Sequence, residues 1–283
     1  MCREAISLQL DRPDPESHRP PQLRETLLES ARVAPRTSLG LMRPPFIAGM
    51  IFILPLTQMA FFADVVRLGG GGSVLVAYVA LGNAVASVAF VSILSVSLTT
   101  DMEKQWGTVD YILATPANRL ALYLGRGAVP IVVSLASVAM ALVYGVAFFG
   151  VDFPESAILP TAVSLGLLSV ALVGVGFMAA GLSLYLRTSV ILTNLVLFGS
   201  LALCGVDFPV GTLPEPLRLI SAALPLTWGV AAVRAAFGGV AISTLALDWL
   251  YLVVCGLAFY LVALTLWQIF ERGVLRSGQT GRY

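Results

Sequence analysis

Residues 156–186 read SAILPTAVSLGLLSVALVGVGFMAAGLSLYL and contain no charged side chain over 31 positions. The hydrocarbon core of a bilayer is about 30 Å thick, and an α-helix with a rise of about 1.5 Å per residue crosses it in about 20 residues. This stretch is therefore long enough to cross a membrane as a single helix. It predicts a membrane protein rather than a water-soluble globule.

The rest of the chain carries five more charge-free stretches that are long enough to cross a membrane. Of its 283 residues, 58% are hydrophobic and only 12% are charged, and the mean hydropathy is +0.89. In a typical soluble domain roughly 25% of the residues are charged. The sequence thus predicts an all-α integral membrane fold with six transmembrane helices. The approximate spans are 44–63, 74–98, 127–151, 159–186, 188–206 and 249–270.

Two shorter apolar windows, 219–233 and 235–247, lie in a stretch that is broken by several prolines. Windows of this length are too short to cross a bilayer and are typical of re-entrant or interfacial helices. The region 207–247 is therefore expected to hold extracellular re-entrant helices before the last span.

The distribution of basic residues predicts the orientation of the chain. With six spans both termini lie on one side, and fourteen of the seventeen basic residues fall on that side. The other three are Arg67, Arg218 and Arg234. Because cytoplasmic segments of membrane proteins are enriched in Lys and Arg, both termini are expected in the cytoplasm. The location is predicted to be the plasma membrane.

Two tails flank the predicted transmembrane domain at 44–271. The N-terminal tail, 1–43, has no apolar segment of the kind found in cleaved signal peptides. Its residues 23–31 suit either a short amphipathic helix on the membrane surface or a disordered chain. The C-terminal tail is 272–283, and both tails are expected in the cytoplasm.

Several classes of function are excluded by residues that the sequence lacks. Lys104 is the only lysine and stands between Glu103 and Gln105, so there is no phosphate-binding GxxxxGK[ST] loop. His18 is the only histidine, which rules out a multi-histidine metal site and an intramembrane Ser–His pair. A net charge of +1 argues against nucleic-acid binding. The chain is therefore expected to be no enzyme, with no catalytic residue, metal site or cofactor of its own.

The loop between the second and third spans, residues 101–126, carries the most informative pattern. Four of its apolar residues recur at the spacing of a single helix face. They are Met102, Trp106, Val109 and Leu113. Thr115 followed by Pro116 is typical of the start of a second helix. Two short helices joined by a break would form an elbow at the membrane surface, which serves either as a docking site or as a plain connector.

This loop resembles the signature of the ABC type 2 permease family, the membrane subunits of ATP-driven exporters. In that signature a Glu and three further residues precede Gly-Thr, an apolar residue and an acidic one. An apolar stretch then ends in Thr-Pro or Ser-Pro. The matching residues are Glu103, Gly107, Thr108, Val109, Asp110, Ile112, Leu113, Thr115 and Pro116. Residues 224–239 also resemble the external segment of the family, and the resemblance covers about 41–272.

The resemblance implies a coupling helix that docks on a separate cytoplasmic ABC ATPase. Two copies of this ATPase would bind the ATP and Mg²⁺, so that this chain holds neither. The residues expected at the contact are Glu103, Trp106, Gly107, Thr108, Val109 and Asp110. The resemblance also implies a second permease subunit, in a homodimer or a heterodimer. The second and fifth spans would then face a central path, with the external helices as a lid.

Polar and aromatic residues in the second and fifth spans are the candidates for lining a substrate path. They are Asn83, Ser87, Phe90, Asn194 and Phe198. A polar group in hydrocarbon is costly unless it is hydrogen-bonded, so such residues favour protein interiors or water-filled cavities. Helix-to-helix hydrogen bonding and close packing are the alternative explanation for the same residues.

The predicted function is that of a permease subunit in an ABC exporter that moves an amphipathic drug, antibiotic, lipid or lipid-linked glycan out of the cytoplasm. One rival is an ATP-independent secondary transporter or channel. Coupling to an ion usually needs a charged residue within a span, and the charge-free stretches contain none. The other rival is a membrane scaffold, which would have no need of polar residues in the second and fifth spans.

Overall fold

The computed structural model describes residues 44–106, 119–183 and 189–277, and within these ranges the chain forms eight helices of eight or more residues and two short 3₁₀ helices, Glu155–Ala157 and Val210–Thr212. They are α1 (Pro44–Leu68, with a π-helical turn at Gly49–Ile53), α2 (Ser73–Gln105), α3 (Arg119–Phe149), α4 (Ile158–Ser183), α5 (Ser189–Leu203), α6 (Glu215–Ala222), α7 (Pro225–Phe237) and α8 (Ile242–Ser277). The predicted amphipathic helix at 23–31 and the tail at 278–283 lie outside the described residues.

Five segments of the described chain are long and apolar enough to cross a bilayer. They contain α1, α2, α3, α4 and α8. A further candidate is the pair of α6 and α7, which is bent by 85° at a short break, the geometry of a broken span or a re-entrant loop. The prediction of an all-helical membrane fold is therefore confirmed, with five to six candidate spans.

Helices α2 and α4 form the centre of the bundle. In their most apolar windows, 72% of α2 and 67% of α4 are buried, against 22% of α1 and 17% of α8. The outer helices instead expose large apolar side chains, among them Phe52, Phe61, Leu257 and Leu261. A protein in water would bury such side chains, and in a bilayer they face lipid at no cost. The inner and outer helices thus show which surface meets the membrane.

Helix α2 continues past the end of the predicted second span at residue 98. It runs unbroken to Gln105, so the start of the predicted elbow is an extension of the span itself. No Gly or Pro interrupts 98–105. The hydroxyls of Thr99 and Thr100 donate to carbonyls one turn earlier, at 2.8 and 3.0 Å, and so stay within the helix. The break that the sequence predicted near Thr115 and Pro116 lies outside the described residues.

The described part of helix α5 begins at Ser189, where the described residues resume. The helix ends at Leu203, three residues before the predicted end of the fifth span at 206. The chain turns away at Gly205, whose φ of +74° is a conformation that side chains other than glycine rarely adopt. The residues after this turn lead along the end of the bundle into α6 and α7.

Candidate functional site

An ion pair joins α2 to α3 at one end of the bundle. Glu103 Oε2 accepts a hydrogen bond of 2.8 Å from Nη1 of Arg126, and the two side chains are 11% and 23% exposed. Hydrogen bonds between charged groups are shorter and stronger than neutral ones, and shielding from water adds to their strength. The end of α2 is therefore fixed to α3 rather than free to fray.

Trp106 follows directly on α2 and is 63% exposed. Its amide donates to the carbonyl of Met102 at 3.0 Å, which places the residue on a last helical turn. A large aromatic side chain on the surface next to an ion pair is suited to contact with a partner. The remaining residues of the predicted ATPase contact, Gly107, Thr108, Val109 and Asp110, lie outside the described residues, so the contact stays a prediction.

The structure separates the candidate path residues into two groups. Asn83 and Ser87 are fully buried within the bundle, and the Ser87 hydroxyl donates to the carbonyl of Ala84 at 2.7 Å. Phe90 of α2 and Phe198 of α5 meet edge to face with ring centroids 5.9 Å apart, while Phe198 is 57% exposed. Asn194 is partly buried on the same helix. The aromatic pair thus connects α2 with α5, and the role of all five residues in a path stays a prediction.

A cluster of polar residues occupies the opposite end of α2 from Glu103. At its centre is Arg234 of α7, whose Nη1 donates to the Gly205 carbonyl at 2.6 Å and to the Tyr78 hydroxyl at 2.7 Å. Its Nη2 donates to the Val206 carbonyl at 2.7 Å. The guanidinium carbon lies 3.7 Å from the centroid of the Tyr78 ring, a cation–π distance. One side chain of α7 therefore holds both α2 and the segment that follows α5.

A second contact ties α2 to the same segment. Asn83 Nδ2 donates to Asp207 Oδ1 at 2.7 Å and to the Val79 carbonyl at 3.0 Å. Burial raises the pKa of the Asp207 carboxyl, and the hydrogen bond from Asn83 and the charge of Arg234 lower it by smaller amounts. We refer to Tyr78, Asn83, Gly205, Val206, Asp207 and Arg234 as the Arg234 cluster. Its members come from three stretches of chain that only the fold brings together.

In the sequence, Arg234 stands out only as one of three basic residues on the predicted extracellular side and as a member of the family-like stretch 224–239. Its partners lie between 28 and 156 positions away along the chain, and two of them are backbone carbonyls. No spacing rule predicts such contacts. One signal was present: Arg234 is the only charged residue in the apolar helix α7, and a charge in such a position usually marks a specific interaction.

The fold is an all-helical membrane domain whose central helix α2 carries polar contacts near both of its ends. A family model for the ABC-2 type transporter matches residues 33–238, which is more than half of the chain. The chain therefore belongs to the ABC-2 type transporter family and is a permease subunit of an ABC-type transporter. Membership of this family implies a multi-pass membrane protein that associates with an ABC ATPase. No curated protein sequence matches the chain.

Proposed function

We propose that the protein is the permease half of an ATP-driven exporter that moves an amphipathic molecule out of the cytoplasm. Two copies of a cytoplasmic ATPase bind ATP and Mg²⁺, and a second permease subunit completes the assembly. The protein lies in the plasma membrane with both termini in the cytoplasm. Nucleotide binding brings the two ATPases together, and α2 passes this movement to the transport path.

The observation that carries this proposal is the continuity of α2. Its 33 residues form one helix of about 50 Å, longer than the hydrocarbon core of a bilayer. One end presents exposed Trp106 beside the Glu103–Arg126 ion pair, and the other end holds Tyr78 and Asn83 of the Arg234 cluster. An unbroken helix moves as one rigid body, so a displacement at its docking end also displaces its other end. Two helices joined by a flexible break would lose part of that displacement at the break.

The assembly is tested by purifying the tagged chain from its native host in mild detergent and measuring the native mass of what accompanies it. We expect an ATPase with a phosphate-binding loop in two copies, together with one or two permease species. Recovery of the chain alone under several gentle conditions would contradict the proposal and favour a secondary transporter or channel.

Variants of the α2 end test the docking surface. Trp106→Ala and Glu103→Arg should each reduce the recovery of the ATPase by about tenfold, because truncating a central contact residue at an interface costs more than about 1 kcal/mol. The matched control is Phe61→Ala, since Phe61 is 64% exposed and Trp106 is 63% exposed, but Phe61 lies on the lipid-facing surface of α1. Equal ATPase recovery from the Trp106, Glu103 and Phe61 variants would place the ATPase elsewhere.

The direction of transport is tested in inside-out membrane vesicles that contain the whole complex. We expect a fluorescent amphipathic cation to accumulate in the vesicles only when ATP and Mg²⁺ are added. Accumulation that survives without ATP and disappears with an ionophore would instead support the secondary transporter. Normal ATPase recovery without any transport of several amphipathic probes would favour the scaffold.

A further inference from the structure

The Arg234 cluster is held by hydrogen bonds that water molecules can replace. Arg234 donates to two carbonyls that follow the C-terminal end of α5, where a positive charge is favourable. The contacts with Tyr78 and between Asn83 and Asp207 are also polar. When such hydrogen bonds break, both partners can bond to water, whereas separated apolar surfaces gain no such compensation.

The cluster is also incompletely paired in the state described. Within the described residues, Asn83 Oδ1 and Arg234 Nε are buried and have no hydrogen-bond partner. A buried polar atom without a partner destabilises the arrangement that contains it. Entry of water would let both atoms form hydrogen bonds, so part of the cost of opening the cluster is offset. This combination favours a contact that opens and closes over one that is permanently shut.

Helix α2 and the turn after α5 approach each other very closely at the cluster. A Cβ atom added to Gly82 of α2 would collide with the Val206 carbonyl oxygen and would lie 2.7 Å from Nη2 of Arg234. Cys204, the residue beside Gly205 in the turn, is 1% exposed and belongs to the same buried apolar core as Leu226 of α7. Cys204 is therefore buried directly next to Gly205, a member of the cluster.

We propose that Arg234 is a positioning residue that holds α7 and the turn after α5 against α2, and that the cluster opens once in each transport cycle to admit water at this end of the molecule. This inference rests on the proposed function, since a transport cycle is needed to drive the opening. In the closed state Arg234 holds the turn that contains Gly205, and Cys204 in the same turn is buried. In the open state the turn and α7 move away from α2 and Cys204 becomes accessible.

The native Cys204 thiol reports on this movement. With Cys2→Ser and Cys255→Ser, Cys204 is the only thiol in the chain. The complete complex is placed in lipid nanodiscs, which leave both faces in contact with solvent, and is treated with a water-soluble maleimide. The rate of modification of a buried thiol follows the population of the open state. We expect the rate to rise by about tenfold or more when ATP and Mg²⁺ are cycling, compared with no nucleotide.

Substitutions at the cluster separate positioning from general stability. Arg234→Met removes bonds to a charged group, which alters an equilibrium by about tenfold or more, so Cys204 should react fast even without nucleotide. Arg234→Lys keeps the charge and should restore part of the protection. The matched control is Arg218→Met, because Arg218 is exposed on α6 of the same bent pair. The control should react as slowly as the unsubstituted chain.

The outcomes distinguish this inference from the proposed function. If ATP drives transport but leaves the Cys204 rate unchanged, the cluster does not open and the inference is wrong, while the exporter stands. Slow modification in folded Arg234→Met would equally overturn it. If Arg234→Met fails to assemble, the test is the chain with an intact cluster. A modification rate of Cys204 that does not change with nucleotide in that chain overturns the inference. Absence of any ATPase from the purified complex would instead overturn the proposed function.

Discussion

At the scale of single residues, Gly82 decides whether α2 can reach the turn after α5. Gly82→Ala places a methyl group against the Val206 carbonyl and Arg234, and overpacking of this kind costs about 1–3 kcal/mol. We expect a lower midpoint of thermal unfolding and faster modification of Cys204 in the purified complex. The matched control is Gly72→Ala, just before α2, where an added Cβ meets no atom within 4 Å. Equal unfolding midpoints for the two variants would contradict the close approach.

The residues of the site were only partly predictable from the sequence. Glu103 was identified by its place in a motif, and the structure adds its ion pair with Arg126, 23 residues later. Asn83 was identified because an amide in an apolar span needs a partner. That partner proved to be Asp207, 124 residues away. Local patterns show that a polar group requires a partner, but the identity of the partner depends on how distant helices pack.

At the scale of elements, glycines on α4 let neighbouring helices approach. A Cβ on Gly174 would lie 2.7 Å from the ring of Tyr260 on α8, and one on Gly176 would lie 3.2 Å from the Ser92 carbonyl on α2. Close backbone approach increases the packing contacts that hold membrane helices together. The central position of α4 therefore depends on its small residues as much as on its apolar ones.

The packing of α4 against α8 gives a second prediction. Gly174→Val pushes against Tyr260, whose hydroxyl donates to the Val170 carbonyl at 3.0 Å, and should lower stability by about 1–3 kcal/mol. Gly166→Val is the control on the same helix, because an added Cβ there meets nothing within 4 Å. The measurement is the retained fraction of folded complex after heating in detergent. If both variants lose the same fraction, the contact with Tyr260 does not stabilise the bundle.

The elements themselves followed closely from hydropathy, because charge-free length reports directly on membrane crossing. Their ends did not. Helix α2 extends to Gln105 because residues 99–105 include no Gly or Pro to break it, whereas a hydropathy window stops at the first polar residues. Helix α5 ends at Leu203 because the chain turns at Gly205, although Val206 is still apolar. Neither helix thus ends where the polarity of the sequence changes.

At the scale of the whole molecule, the orientation predicted from the basic residues can be measured. Arg218 on α6 and Arg272 near the end of α8 are both exposed, at opposite ends of the bundle. In intact cells, a membrane-impermeant maleimide should modify Arg218→Cys and leave Arg272→Cys unmodified, in a chain whose native cysteines are replaced by serine. Permeabilised cells serve as the control and should show both modified. The reverse pattern in intact cells would invert the predicted orientation.

The length of α2 determines how far each of its ends moves when the helix tilts. Gln105 lies about 33 Å along the helix from Asn83. If α2 pivots as a rigid rod near Asn83, a tilt of about 5° displaces Gln105 by about 3 Å, while Tyr78, on the short arm, moves by less than about 1 Å. The Gln105 end, where we propose that the ATPase docks, would thus move over a longer distance and under a smaller force than the Tyr78 end. A force applied at Gln105 would be several-fold larger at Tyr78, and the displacement at Tyr78 would be smaller by the same factor.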